Sequence, residues 1–383
     1  MSFTALRHYL FSNPRYLSDL MMHKLKLRRR FRWIDRHAAT GKKVPLPLVY
    51  KITLTTTCNL TCKMCMNIAN HDIPAHPKEQ VEIDFTVFEN IIAQFDQTKP
   101  SVILSGGEPM LHSKFSDCIR VLEERRIATH ICTNGTLLEK YVHLLKKTNH
   151  VSLIVSLDGI RENNDAIRGS GVYDNVVSGI RHVRNENKSI YIGIQHTIQP
   201  ENVASMYGFC REMVDLKVDW ILLNPCWHLS VEQADDYCMF MERTFGIQPH
   251  GHKGYIMDYR LDTDLFAKQF GKIRSTRWPI QISCYYDNPV RDMKRMLGEA
   301  TWFCANRFCY KQWVRMDIMP DGKVVSCQQF PDVVVGDLRE STSAEIWNGE
   351  ALGNFRNTIL RGPLPVCNKC APIYLYDGNR KVL

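Results

Sequence analysis

Residues 55–67 read TTTCNLTCKMCMN. Within them Cys58, Cys62 and Cys65 stand as C-x3-C-x2-C, with no fourth Cys or His close by. A zinc site built from four thiolates normally brings its ligands as two pairs. Three thiolates suit three irons of a cubane [4Fe–4S] cluster. The fourth iron is then open to an outside ligand, as catalytic metal sites keep one position free. The competing reading is three buried core thiols that happen to be neighbours.

The triad follows an apolar run, Leu48–Leu54, and the pattern repeats downstream. Further strands are predicted at Ser101–Leu104, Thr129–Cys132, Val151–Leu157, Ile190–Thr197 and Trp220–Leu223. Helical stretches lie between them near 85–97, 113–126, 136–147, 173–187 and 202–216. Six strands joined by five crossovers predict an α/β chain with a parallel sheet, a partial (β/α)6 TIM-like barrel. Chemistry in such folds gathers at the C-terminal ends of the strands. CNLTCKMC follows the first strand, SGGEP the second, TNG the third and SLDG the fourth.

The chain has 383 residues, of which 44% are hydrophobic, enough for a large domain and a smaller module. No apolar run reaches the roughly 18–20 residues of a spanning helix, and no secretory signal opens the chain. The expected location is cytoplasmic, where the 14 cysteines read as metal ligands or reactive thiols before disulfides. Residues 1–44 hold eleven Lys/Arg against Asp19 and Asp35, which is the whole net charge of +9. After the helix-start signal Ser12-Asn13-Pro14, the residues Leu17, Leu20, Met21, Met22 and Leu25 recur at helical spacing beside Lys24, Arg28 and Arg29. Such a basic amphipathic helix either packs on the barrel with its charges solvated, or meets an anionic membrane surface or an acidic partner.

The expected organisation is therefore an N-terminal extension (1–45), a barrel (46–227), a bridging region lining a substrate pocket (228–300) and a C-terminal module (301–383). The bridging region is aromatic-rich and reads as mainly helical, with a strand at Ile280–Cys284. The C-terminal module has its own cysteine pattern: Cys309, Cys327, Cys367 and Cys370, with Asp321-Gly322 turning into the strand that delivers Cys327. On spacing alone these four suit either structural zinc or a fully ligated iron–sulfur cluster.

C-x3-C-x-Met-C after a first strand resembles the signature of the radical S-adenosylmethionine (radical SAM) enzymes. The resemblance implies that the open iron of the [4Fe–4S] cluster chelates S-adenosylmethionine, whose reductive cleavage gives a 5′-deoxyadenosyl radical that takes a hydrogen from the substrate. It places Met64 beside the adenine. It matches Ser105-Gly106-Gly107-Glu108-Pro109 to the family's GGEP element, with Gly106 and Gly107 letting backbone approach the ligand and Glu108 near the SAM ammonium. Ser156 would reach the SAM carboxylate or ribose, Arg168 would pair a carboxylate, and Asn134 either joins the site or caps the next helix.

The second cysteine set, with its G-x4-C element and EIWNG segment, resembles the SPASM/twitch extension of the same enzymes. That implies one auxiliary [4Fe–4S] cluster on Cys309, Cys327, Cys367 and Cys370, since no cysteine follows Cys370, with Cys304 as a spare candidate. Sulfatase-maturing relatives carry an aspartate base after the auxiliary cysteine. Here Gln328 and Gln329 stand there instead, so Asp332, Asp287 or His228 would have to substitute. Cys226 reads either as the hydrogen-atom donor known from radical SAM epimerases or as an ordinary buried thiol.

The expected substrate is a small natural product or sugar-like molecule, oxidised or epimerised, with peptide modification (RiPP-type) as the alternative. A reducing donor such as flavodoxin or ferredoxin is implied. A rival of another class is a zinc-stabilised protein that binds nucleic acid or a membrane surface. The confinement of positive charge to the arm argues against nucleic acid.

Overall fold

The protein is described here from a computed structural model covering residues 14–66, 81–95, 99–285, 288–298 and 308–370. Cys304 and Asp287 lie outside the described residues. The six expected strands are β1 (Val49–Thr55), β2 (Ser101–Gly106), β3 (Thr129–Thr133), β4 (Val151–Ser156), β5 (Tyr191–Ile198) and β6 (Trp220–Pro225). All six pair in parallel, in chain order. The sheet is longer than expected. β7 (Gln281–Cys284) adds in parallel to β6, and β8 (Arg315–Ile318) adds in parallel to the other side of β1. The antiparallel strands β9 (Lys323–Val325) and β10 (Val334–Asp337) complete an open order β10-β9-β8-β1-β2-β3-β4-β5-β6-β7 among the described residues. The C-terminal module therefore continues the barrel sheet.

The two faces of the sheet differ. On β1, Tyr50, Ile52 and Leu54 are buried, and Tyr50 packs its ring on Phe95. On β3 through β5 the alternate positions Cys132, Ile154, Ser156, Gln195 and Thr197 remain partly accessible. A period of two along the strand separates a helix-covered face from a face lining an open lumen. The extension helix is α1 (Pro14–His37). The covering helices are α2 (Phe85–Ala93), α3 (Phe115–Glu124), α4 (Val142–Leu145), α5 (Arg161–Arg168), α6 (Val172–Glu186) and α7 (Met206–Asp215). The bridging region supplies α8 (Val231–Phe245), α9 (Thr263–Ser275) and α10 (Pro289–Gly298), and the C-terminal module α11 (Ser343–Trp347) and α12 (Glu350–Arg361).

Helix α1 lies across the N-terminal ends of the strands. Leu27, Phe31 and Ile34 are buried, and Phe31 meets Tyr310 edge-on. The Arg30 guanidinium donates to the Trp313 carbonyl at 2.5 Å and the Leu46 carbonyl at 2.7 Å, and the Lys26 ammonium donates to Lys99 O at 3.1 Å. These carbonyls stand just before β8, β1 and β2, at the end of the sheet opposite the three-cysteine loop.

Candidate active site

The cysteine loop leaves β1 through an irregular register between Thr53 and Thr55. The β2 end is knitted to it: Gly107 N donates to Thr55 O at 2.9 Å and Glu108 N to Thr57 O at 2.8 Å. A Cβ on Gly106 would stand 2.4 Å from Thr55 O, and one on Gly107 2.3 Å from Thr57 O. The glycines thus make room for the loop's own backbone, where the sequence had suggested room for a ligand. Cys65 N closes a turn on Cys62 O at 3.0 Å, and Lys63 N reaches Ile167 O at 3.0 Å. Met64 packs partly buried against the core beside these thiols.

Two of the expected residues aim donors at the sulfurs. The Asn134 amide stands 3.8 Å from Cys58 Sγ and 2.9 Å from Asn59 Oδ1. Arg168 Nη1 stands 3.9 Å from Cys62 Sγ. Burial pushes the Cys62 thiol up to about 11, against the opposing pull of Arg168. Like charge among Cys58, Cys62 and Cys65 adds to that rise. Three sulfurs that feel one another at the end of a strand, with donors around them, fit a cluster whose irons hold them as thiolates.

Arg168 finds its carboxylate inside the chain. Its Nε lies 2.7 Å and its Nη2 2.6 Å from Asp158 Oδ2, and both residues are buried. Asp158 Oδ1 accepts from Thr197 N at 2.6 Å. The sequence showed Asp158 only as part of SLDG, and this pairing could not be read from it. Ser156 ends β4 on the lumen face, opposite Gln195.

Glu108 is fully buried. Its Oε1 accepts from Thr133 Oγ1 at 2.8 Å and Met110 N at 3.1 Å, and its Oε2 from Asn134 N at 2.6 Å. It therefore fastens the β3 turn that carries Asn134. Burial raises its carboxyl from 4.5 to about 7, against those three hydrogen bonds. The folded chain then holds a proton that the unfolded chain has released. Stability present below about pH 4.5 is lost as pH rises toward about 7, by at most about 3 kcal/mol. Glu108→Gln should flatten that part of the profile in urea melts between about pH 5 and about pH 8; an unchanged slope would assign the titration to another group.

The second cysteine set converges around the β8–β9 hairpin. Cys309 precedes the turn Tyr310–Trp313, Cys327 follows β9, and Cys370 N closes on Cys367 O at 3.1 Å. Burial, with Cys309 and Cys327 adding like charge, drives the Cys367 thiol well above its usual range. A buried cation stands beside them: the Lys311 ammonium bonds Asp317 Oδ2 at 2.7 Å and Ser326 O at 3.2 Å, while Arg315 Nε takes Asp317 Oδ1 at 2.7 Å. Two cations on one carboxylate leave positive charge to offset cluster thiolates. Among the described residues no three His, Cys, Asp or Glu side chains gather tightly enough for a single metal ion. A cubane spreads its ligands over several irons.

Gln328, where the sulfatase-maturing pattern has aspartate, is structural. Its side-chain amide donates to Thr53 Oγ1 and, at 3.3 Å, to Ser105 Oγ, and its backbone N donates to Asp317 at 3.0 Å. Asp332 is also engaged, accepting from His250 N, Gly251 N and Tyr237 OH at 2.6, 3.0 and 3.0 Å. His228 packs its ring at a tilt on Tyr259, with its Nδ1 3.3 Å from Cys226 O. Cys226, just past β6, is 3% exposed, and burial pushes its thiol up to about 12, so it stays protonated.

Tyr255 joins the two cysteine regions, a link that no motif or spacing in the chain foretells. Gly254 presses on the loop one residue past Cys65, where a Cβ would stand 2.3 Å from Met66 O. On the other side the Tyr255 ring packs 5.0 Å from Phe330, whose N bonds Cys327 O at 3.1 Å, and 5.1 Å from Trp227. Its hydroxyl is buried without a hydrogen-bond partner among the described residues.

Comparison with known proteins agrees with this geometry. Residues 52–211 match the radical SAM superfamily, and residues 309–371 match the SPASM iron–sulfur cluster-binding domain, together more than half of the chain. The Fe-coproporphyrin III synthase of Methanosarcina barkeri is 25% identical over 91% of this chain and 88% of that protein. The AdoMet-dependent heme synthase of the same organism is 26% identical over 82% and 86%. Among solved structures, Streptococcus suis SuiB bound to its precursor peptide SuiA superposes with a TM-score of 0.57, at 18% identity, over 89% of this chain and 71% of that one.

Proposed function

The chain belongs to the radical SAM superfamily and carries a SPASM iron–sulfur domain, and from that premise we propose that it oxidises or epimerises a small natural-product or sugar-like substrate bearing a carboxylate or phosphate. When bound, the three-cysteine [4Fe–4S] cluster and S-adenosylmethionine supply a 5′-deoxyadenosyl radical able to take a hydrogen atom from carbon. Cys58, Cys62 and Cys65 would hold that cluster, and Cys309, Cys327, Cys367 and Cys370 the auxiliary one.

The charge of the lumen carries the proposal. Lys51, on the lumen face of β1, is only partly buried and has no ion-pair partner among the described residues. Burial and the nearby Arg315 press its pKa down. Among the described lumen-facing positions of β1 to β8 the acid is Asp317, already saturated by Lys311, Arg315 and the Gln328 amide. An ammonium left without an anion in a partly desolvated chamber favours an anionic ligand. The two Methanosarcina relatives are named as synthases of Fe-coproporphyrin III and of heme, molecules that bear carboxylates. Cys226 favours epimerisation, because a thiol kept protonated can return a hydrogen atom to carbon.

The test is 5′-deoxyadenosine formation by the reconstituted enzyme with pairs of candidate acids and their methyl esters, or phosphates and their dephosphorylated forms. The charged member should stimulate turnover at least about tenfold more than the neutral one, the worth of one buried charged contact. Lys51→Met should remove most of that preference. Equal stimulation by charged and neutral members would refute an anionic substrate, and stimulation by a peptide alone would favour the RiPP-type alternative.

A further inference from the structure

We propose that the outward face of α1 is a docking surface for an anionic membrane, and that the enzyme works while lying on it. With roughly 3.6 residues per turn, Leu27, Phe31 and Ile34 define the face of α1 that packs on the protein. Met21, Met22 and Leu25 fall on the opposite face and are 53%, 52% and 41% exposed. One to three turns further along that same outward face stand Arg28, Arg29, Arg32 and Arg36, all exposed. None of the four has an ion-pair or hydrogen-bond partner among the described residues.

An apolar patch followed by a cationic patch on one helix face is the pattern of an interfacial helix, apolar side chains entering the headgroup boundary and guanidinium groups pairing with lipid phosphates. No helix among the described residues is long and apolar enough to cross a membrane, so the contact is one of lying on the surface. A bilayer takes both halves of the patch with no matching pocket, its acyl boundary receiving the three apolar side chains and its phosphates the arginines, and an acidic protein partner is the outcome that the test below separates from it. The helix crosses the N-terminal ends of β8, β1 and β2, so a membrane bound there leaves the cysteine loop facing away from it. Membrane binding through this face is independent of which substrate the lumen takes.

The test is co-flotation of the full chain with phosphatidylcholine vesicles, with and without phosphatidylglycerol. Binding is expected only when phosphatidylglycerol is present and should weaken as salt rises. Arg28→Gln, Arg29→Gln, Arg32→Gln and Arg36→Gln together should reduce it at least about tenfold. Met21→Ser, Met22→Ser and Leu25→Ser together should reduce it without changing the charge. Neither set touches the core or the cysteines, so circular dichroism and iron content should stay as in the parent. No binding to the anionic vesicles, or binding that neither set alters, overturns the proposal. So does an absence of vesicle binding combined with slower reduction of the arginine variant by flavodoxin, but not by dithionite; that result would make the face a docking site for an acidic redox protein.

Discussion

Replacing Cys58, Cys62 and Cys65 together by alanine should abolish 5′-deoxyadenosine formation while leaving about half of the iron, roughly four atoms of about eight per chain for two cubanes. The loop itself should survive. Its backbone is held by Gly107 N to Thr55 O and Glu108 N to Thr57 O, and none of these bonds involves a cysteine side chain. Loss of activity would therefore report the missing thiolates and not a displaced loop. The converse variant, Cys367→Ala with Cys370→Ala, should lose the other half of the iron and keep SAM cleavage, because these residues group with Cys309, Cys327 and Lys311 and not with the three-cysteine loop on β1. Iron and sulfide analysis with chromatography of the nucleoside checks both. A triple variant that still cleaves SAM would remove the three-cysteine loop from the chemistry. Zinc found on the C-terminal set would return that site to a structural role.

The parts of the fold legible in the sequence were those in which one local signal dominates. β1 to β6 read as short continuous apolar runs because parallel strands in this fold are covered by helices, and their observed limits fall within about two residues of expectation. β8 did not read as a barrel strand. Arg315-Met316-Asp317-Ile318 places two charges on the lumen face, and only the Lys311–Asp317–Arg315 network makes that burial tolerable. The helix expected over 136–147 forms only at Val142–Leu145, preceded by turns in which Asn134 and Thr133 cap the backbone. Helix α5, with its polar run RENNDAIR, was missed because Asn164 and Arg168 are buried through hydrogen bonds that no apolar periodicity reveals. At the site, the three-cysteine spacing and GGEP were plain. What the sequence could not assign was partnership: Arg168 to Asp158, Glu108 to Asn134, Gln328 to Thr53 and Ser105. The first closes across helix α5 and the others join segments 26 to 275 residues apart, and spacing carries no record of such a pair.

The Asp158–Arg168 pair yields the largest stability effect expected in the barrel. Asp158→Asn preserves shape and can still accept from Thr197 N, but it leaves the buried guanidinium without its counter-charge and can turn an amide N–H toward two guanidinium donors. Removing one partner of a buried ion pair costs about 3–5 kcal/mol, so the variant should unfold at a markedly lower urea concentration. Arg168→Met should also be destabilising, since it strands a buried carboxylate. The double variant Asp158→Asn, Arg168→Met should lose less than the sum of the two, because it buries no lone charge. Nearly additive losses, or a single-variant loss under about 1 kcal/mol, would mean that solvent screens the pair as it does at a surface. The same cycle bears on catalysis. Arg168 has two of its nitrogens committed to Asp158 and directs Nη1 toward Cys62 Sγ. Its expected service to the site is therefore to hold positive charge beside a cluster thiolate. In Arg168→Met the three-cysteine site should bind iron more weakly even where the chain still folds, whereas a residue that only gripped the SAM carboxylate would leave iron content intact and weaken SAM binding alone.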